Sequence, residues 1–216
     1  MFRDRLDAAE KLAEAVAALA PRDPVVLALP RGGVPLGVVV AQRLAAPIDL
    51  LMVRKIGAPG NPEVAAGAIV DGAAPVVEFN SDILRYLGLT PADFDAEITD
   101  LTAEIDRRRA IYMPGRAPEP VAGKTAIIVD DGIATGATVR VAVKALRAHA
   151  VGEVWVAVPV APPGVVDDLT GLADRVICLT QPTMFRAVGA HYRDFAQVSD
   201  DEVVEILRGV WGRDVQ

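Results

Sequence analysis

TAIIVDDGIATGAT, residues 125–138, runs from a short apolar segment through two adjacent acids into a Gly- and Thr-rich turn, and VRVAVKALRA follows at helical spacing. The apolar run Ala126 to Val129 predicts a strand that delivers Asp130 and Asp131 to its exit. Adjacent residues of a regular strand point to opposite faces, so the two carboxylates can share a ligand only where the strand ends and turns, and Gly132 permits that turn. Backbone N–H groups from Ala134 to Thr138, at a helix start, can surround a phosphate. Two carboxylates beside such a cradle would repel a polyanion, so the combination makes sense if they meet sugar hydroxyls or a divalent cation.

A second strand-loop-helix unit lies upstream, in PVVLALPRGGVPLGVVVAQRLAAP, residues 24–47. Val25 to Leu29 predicts a strand, Pro30 to Gly33 a loop, and Pro35 sits in the first turn of a helix. Arg31 then stands at the carboxyl end of its strand, where open α/β sheets bind ligands. Ile48 to Val53 predicts another strand, ending in Arg54 and Lys55. GAPGNPE, residues 57–63, is a loop on composition, and Gly57 to Pro62 suits a lid. Gly67 to Val70 and Val76 to Phe79 read as a hairpin across DGAAP.

From Ser81 to Ile111 the pattern is helical, with a capping box at Thr90 to Asp93 and Phe94, Ile98, Leu101 and Ile105 on one face. Arg107, Arg108 and Arg109 in its last turn suit the helix dipole better than phosphate binding. The apolar run Val154 to Val160 fits a parallel strand covered on both faces, and a short helix, a strand at Arg175 to Leu179 and a helix capped at Ser199 follow. The opening segment, Phe2 to Ala20, is an amphipathic packing helix and not a targeting segment. Strands alternating with helices imply one α/β domain with a mostly parallel central sheet flanked by helices.

The 216 residues suit a single domain, and a net charge of −7 argues against nucleic acid or an anionic membrane as a diffuse partner. The one cysteine, Cys178, excludes an internal disulfide framework and makes a reducing cytoplasm the natural compartment. No apolar run reaches the ~18 residues of a membrane span.

VDDGIATGAT closely resembles the phosphoribosyl pyrophosphate motif of the type I phosphoribosyltransferases, and LPRGG stands where that family has its pyrophosphate loop. LPRGGVPLG, RKIGAPGNPE, PVAPP and YRDFAQVSD together resemble bacterial phosphoribosyltransferase-like proteins of unassigned acceptor. The resemblance implies the type I fold over residues 1–216, with a helical insertion at about 80–112 and a small base-covering hood from about 180–198. It implies that Asp130 and Asp131 hold the ribose hydroxyls, and that Ala134, Thr135, Gly136, Ala137 and Thr138 hold the 5-phosphate. Arg31, Gly32 and Gly33 would hold the pyrophosphate, with Lys55 or Arg54 as a further cation, and a cis peptide is expected before Arg31. Arg31, Lys55 and Asp131 are the candidate catalytic residues, and Phe185 is the candidate acceptor contact.

The implied reaction moves the 5-phosphoribosyl group from phosphoribosyl pyrophosphate to a small nitrogenous acceptor. Magnesium would enter with the ligand and no metal ligand is assigned; a homodimer is expected because relatives commonly pair. Two departures stand out. Many relatives have glycine where this chain has Ala137, so a helical conformation is expected there. Enzymes of 6-oxopurines commonly carry an aspartate at the position of Ala134, and its absence leaves the acceptor open. The alternatives are a non-catalytic phosphoribosyl pyrophosphate or nucleotide-binding regulatory module, and hydrolysis of a phosphoribosyl compound.

Overall fold

The structure, a computed structural model, describes residues 1–59, 61–71 and 75–211, with the backbone alone at 61–63. Its centre is a five-stranded, all-parallel sheet in the order β2-β1-β6-β7-β8, formed by β1 (Pro24–Ala28), β2 (Ile48–Leu50), β6 (Thr125–Val129), β7 (Glu153–Val160) and β8 (Arg175–Thr180). The acid-bearing strand β6 is thus the central one, with β1 in register from Pro24↔Thr125 to Ala28↔Val129. Alternate residues face two separate cores. Val26, Ala28, Ile127, Val129 and Ala157 pack under α1 (Arg5–Ala17), α2 (Gly33–Leu44) and α7 (Asp200–Trp211). Val25, Leu27, Ala126, Ile128 and Val156 pack under α5 (Ala137–Ala148) and α6 (Pro163–Thr170). Burial on both faces is why these strands read as unbroken apolar runs.

The expected strand Ile48 to Val53 is in fact two. Leu51 N–H donates to Ala28 O at 3.0 Å and still belongs to the parallel sheet. At Met52 the backbone changes partner, donating to Asp71 Oδ1 at 2.6 Å and accepting from Asp71 N–H at 2.9 Å. Val53 therefore opens a second, antiparallel sheet of β3 (Val53–Ala58), β4 (Asn61–Val70) and β5 (Val76–Phe79). The expected hairpin of Gly67–Val70 with Val76–Phe79 is present, and residues 72–74 lie outside the described set. The expected loop over 57–63 is mostly strand, because β3 and β4 stay paired as far as Ala58↔Asn61, with register shifts around Gly57. The expected lid at Gly57 to Pro62 falls partly outside the described residues, at Gly60 and at the side chains of 61 and 62.

The long helical pattern divides into α3 (Ser81–Leu87), a 3-10 turn at Pro91–Phe94 and α4 (Asp95–Tyr112). Gly88 ends α3 in the left-handed region, and the Thr90–Asp93 capping box restarts the chain. Phe94 and Leu84 join Ile56, Ala58 and Ala66 in a small third core, so α3 and α4 cover the antiparallel sheet. Arg109 does more than complement the helix dipole. Its guanidinium lies 2.8 Å from Asp49 on β2 and 2.9 Å from Asp71 at the end of β4, joining the two sheets through α4. Burial pushes the Asp71 carboxyl up to about 6, against the pull of Met52 N–H and Arg109. Among the described residues no helix is long and apolar enough to cross a membrane.

Candidate active site

The site forms where the central strand ends. Asp130 and Asp131 leave β6 in a tight turn, with Asp131 N–H donating to Asp130 Oδ1 at 2.8 Å. The Pro30–Gly33 loop crosses directly over this exit, and its Pro30–Arg31 peptide is cis, as the resemblance implies. A β-carbon on Gly33 would stand 2.4 Å from Val129 O, so this position tolerates only glycine at the observed distance. Gly132 serves a neighbouring approach. A β-carbon there would meet Val188 at 2.5 Å and Val160 at 2.9 Å, so its absence lets the segment after β8 close over the strand exit.

Asp131 is held by residues that sequence reasoning overlooked. Arg5, in the first turn of α1, donates from Nε to Asp131 Oδ2 at 2.9 Å, and its Nη2 lies 2.8 Å from the same oxygen. Tyr192 donates its hydroxyl to Asp131 O at 2.6 Å. Arg5 also donates to Ala196 O and lies 3.9 Å above the Phe195 ring. The chain ahead of α1 runs beside the same segment, with Phe2 N–H donating to His191 O at 2.8 Å and Arg193 N–H donating to Phe2 O at 2.9 Å. The opening helix is therefore part of the site and not packing alone. Burial raises both carboxyls of the acid pair. For Asp130 the neighbouring Asp131 charge adds to the rise, whereas for Asp131 the Arg5 cation opposes it.

The Gly- and Thr-rich turn is exposed at Ala134, Thr135, Ala137 and Thr138. Gly136 caps α5 at φ 73°, the left-handed region, and Ala137 is already the first helical residue, as expected from its methyl group. The first N–H groups of a helix lack intrahelical acceptors, so this turn presents donors to an anion. Arg140, one turn into α5, braces it by donating from Nη2 to Thr135 O at 2.9 Å.

The remaining candidates divide. Arg31 lies 3.6 Å from Asp200 at the start of α7, and Asp200 also accepts a hydrogen bond from Tyr112 Oη at 2.5 Å. Arg31, Gly32, Asp131, Arg5, Phe195 and Gln197 border one open cavity of about 560 Å³. Arg54 turns toward α4, where its Nε lies 3.1 Å from Glu104. Lys55, next along β3, is exposed on the other face of that strand. Phe185 stacks on His191 at 5.3 Å and packs against the core, and Phe195 borders the cavity. A larger cavity, about 650 Å³, lies between α2 and Trp211 and contains none of the candidate residues. Among the described residues no three His, Cys, Asp or Glu side chains form a metal cage.

A family model described as phosphoribosyl transferase domain matches residues 3–194. The chain belongs to this family. Two phosphoribosyltransferase-family relatives, from the H37Rv and CDC 1551 strains of Mycobacterium tuberculosis, are each 46% identical over 207 residues, and their names assign them provisionally to the phosphoribosyl transferases. The match takes in 96% of this chain but 46% of each relative, so the chain spans about half their length. The crystal structure of TT1426 from Thermus thermophilus superposes with a TM-score of 0.84 at 40% identity, covering 97% of this chain and 98% of that one. Within this phosphoribosyltransferase fold, Arg140 was missed although its place one turn beyond Gly136 is a local signal, whereas nothing local to RDRLDAAEKL marks Arg5 as a partner of Asp131.

Proposed function

We propose that the chain is a phosphoribosyltransferase that moves the 5-phosphoribosyl group from phosphoribosyl pyrophosphate to a nitrogenous small molecule and releases pyrophosphate. The observation that carries this reading is the convergence of the acid pair, the donor-rich start of α5 and the Gly32-Gly33 loop at the exit of one strand. A sugar bearing a 5-phosphate on one side and a pyrophosphate on the other needs those three elements together.

In the proposed mechanism Asp130 and Asp131 accept hydrogen bonds from the ribose hydroxyls. Thr135, Thr138 and the backbone of 134–138 hold the 5-phosphate, with Arg140 bracing the turn. The bond between the anomeric carbon and the pyrophosphate oxygen lengthens, positive charge develops on the sugar, and the acceptor nitrogen forms the new bond. The electron pair of the broken bond leaves with pyrophosphate, so the leaving group is where charge must be stabilised. Arg31, with Lys55 as the candidate second cation, supplies that charge, and the cavity beside Phe195 takes the acceptor.

Magnesium fits this site as an ion carried by the substrate. Among the described residues the donor set is one acid pair without a third carboxylate or imidazole, and magnesium commonly binds through one or two carboxylates plus substrate phosphates. When bound, the ion would neutralise the pyrophosphate. We read residues from about 80–112 as the family's helical insertion and from about 180–198 as its hood, the protein as cytoplasmic, and a homodimer as its assembly.

The test is incubation with phosphoribosyl pyrophosphate, magnesium and a panel of heterocyclic bases, following pyrophosphate release and base-linked products. Turnover with one acceptor supports the reading. Saturable binding without turnover for any acceptor favours a regulatory binding module, and release without a base-linked product favours hydrolysis. Binding that survives Asp130→Asn with Asp131→Asn overturns the ribose assignment.

A further inference from the structure

We propose that Arg5 is a positioning residue of the ribose site: it fixes the Asp131 carboxylate at the β6 exit and ties it to the 192–197 segment, so that the sugar site and the acceptor cavity share one latch. The inference rests on the reading of Asp130 and Asp131 as the ribose carboxylates.

The geometry of the contact favours orientation over surface attraction. Nε and Nη2 of one guanidinium lie 2.9 and 2.8 Å from the same Asp131 oxygen, and the Arg5 and Asp131 side chains are only 14% and 13% exposed. Such a fork fixes direction as well as charge. The fork itself is immobilised, since Arg5 donates to Ala196 O and its plane lies over Phe195. Its helix is anchored at the same end, where Asp4 caps α1 by accepting from Asp7 N–H at 2.8 Å. Asp131 is gripped a second time through its carbonyl by Tyr192, whose ring packs between Phe2 and Phe195 at centroid distances of 5.4 and 4.9 Å. Both grips come from the ribbon made by the N-terminal segment and residues 191–196. Movement of that ribbon, which forms a wall of the acceptor cavity, is therefore movement of the Asp131 carboxylate.

The charges around Asp131 make the latch chemically necessary. Asp130 is adjacent and acidic, Tyr192 adds a neutral hydroxyl, Arg31 borders the cavity, and Glu202 approaches Arg5 from α7. Arg5 is the cation that opposes the effect of burial on Asp131. Without it the half-buried Asp131 carboxylate would stand beside a second acid with nothing holding its direction toward a ribose hydroxyl.

The experiment titrates phosphoribosyl pyrophosphate with magnesium into wild type, Arg5→Gln and Arg5→Lys by calorimetry, with circular dichroism as the check of fold. Arg5→Gln is expected to bind about tenfold more weakly, because the Asp131 carboxylate loses the charged donor that holds its direction. Arg5→Lys, which keeps a cation but not the fork, is expected to fall between the two, and it carries the test if Arg5→Gln does not fold. Affinity of Arg5→Gln equal to wild type, or a loss that Arg5→Lys does not restore in part, overturns the proposal. Failure of wild type to bind overturns the proposed function and this inference with it. Wild-type binding that is abolished by Asp130→Asn but untouched by Arg5→Gln overturns this inference alone.

Discussion

A β-carbon at Gly32 would stand 2.2 Å from Oδ2 of Asp131, so the loop after β1 lies directly on the acid pair after β6. The backbone of Gly32 is right-handed helical, at φ −60° and ψ −34°, which alanine adopts without strain. Gly32→Ala therefore tests the contact alone. Asp131 is held by Arg5 and cannot swing aside freely, so the substitution is expected to weaken phosphoribosyl pyrophosphate binding at least about tenfold and to cost about 1–3 kcal/mol of stability. Gly164→Ala is the control. Its site is open, and helix propensity alone is expected to raise stability by up to about 1 kcal/mol with binding unchanged. Calorimetric binding and thermal melts read both.

Arg109→Met would leave two buried carboxylates, Asp49 and Asp71, without their common cation. Loss of one partner of a buried pair costs about 3–5 kcal/mol. The sign of the pH dependence follows from Asp71. Its folded value, about 6, lies above the ordinary 3.8, so the folded state holds the proton more tightly and this group's contribution to stability falls as pH rises from about 4 to about 6. Arg109 draws that value down, so removing it extends the penalty to higher pH. Urea unfolding is expected to show a larger loss for the variant at pH 7.5 than at pH 5; equal losses would contradict this account.

Gly136→Ala combines two obstacles, a left-handed φ of 73° and a β-carbon 2.8 Å from Val165. The start of α5 must then shift, and 5-phosphate binding is expected to weaken about tenfold or more, read with ribose 5-phosphate as the ligand. Ala137→Gly is expected to bring no gain in affinity, because residue 137 is already helical and needs no left-handed freedom.

Asp200→Asn removes the charge that tethers Arg31 across 3.6 Å. Exposed pairs of this kind contribute about 0–1 kcal/mol, so pyrophosphate is expected to bind up to about fivefold more tightly at low salt. The gain is expected to vanish in about 1 M salt, where screening reaches only a few ångströms. Titration at two ionic strengths checks it.

The parallel sheet, the acid pair at a strand exit, the helical conformation of Ala137 and the hairpin of β4 with β5 were all legible because each depends on local pattern. Apolar runs report burial on both faces, and glycines and threonines report turns and helix starts. The break between β2 and β3 was not legible, since Ile48 to Val53 reads as one continuous strand and only the hydrogen bonds of Met52 to Asp71 divide it. The fate of Arg54 and Lys55 was decided by which face of β3 met Glu104 on α4. Phe185 and Phe195 are alike in sequence, and the stacking of one on His191 and the other under Arg5 separates them.

By itself the sequence determined the order of strands and helices and the chemistry carried by TAIIVDDGIATGAT. Only the tertiary structure decided what neutralises that chemistry. Arg5 and Asp131 are 126 positions apart, and their pairing arises because α1 packs against the sheet with its first turn at the end of β6. No periodicity encodes such a contact, since it depends on where one helix sits on another element and not on what either segment would do alone.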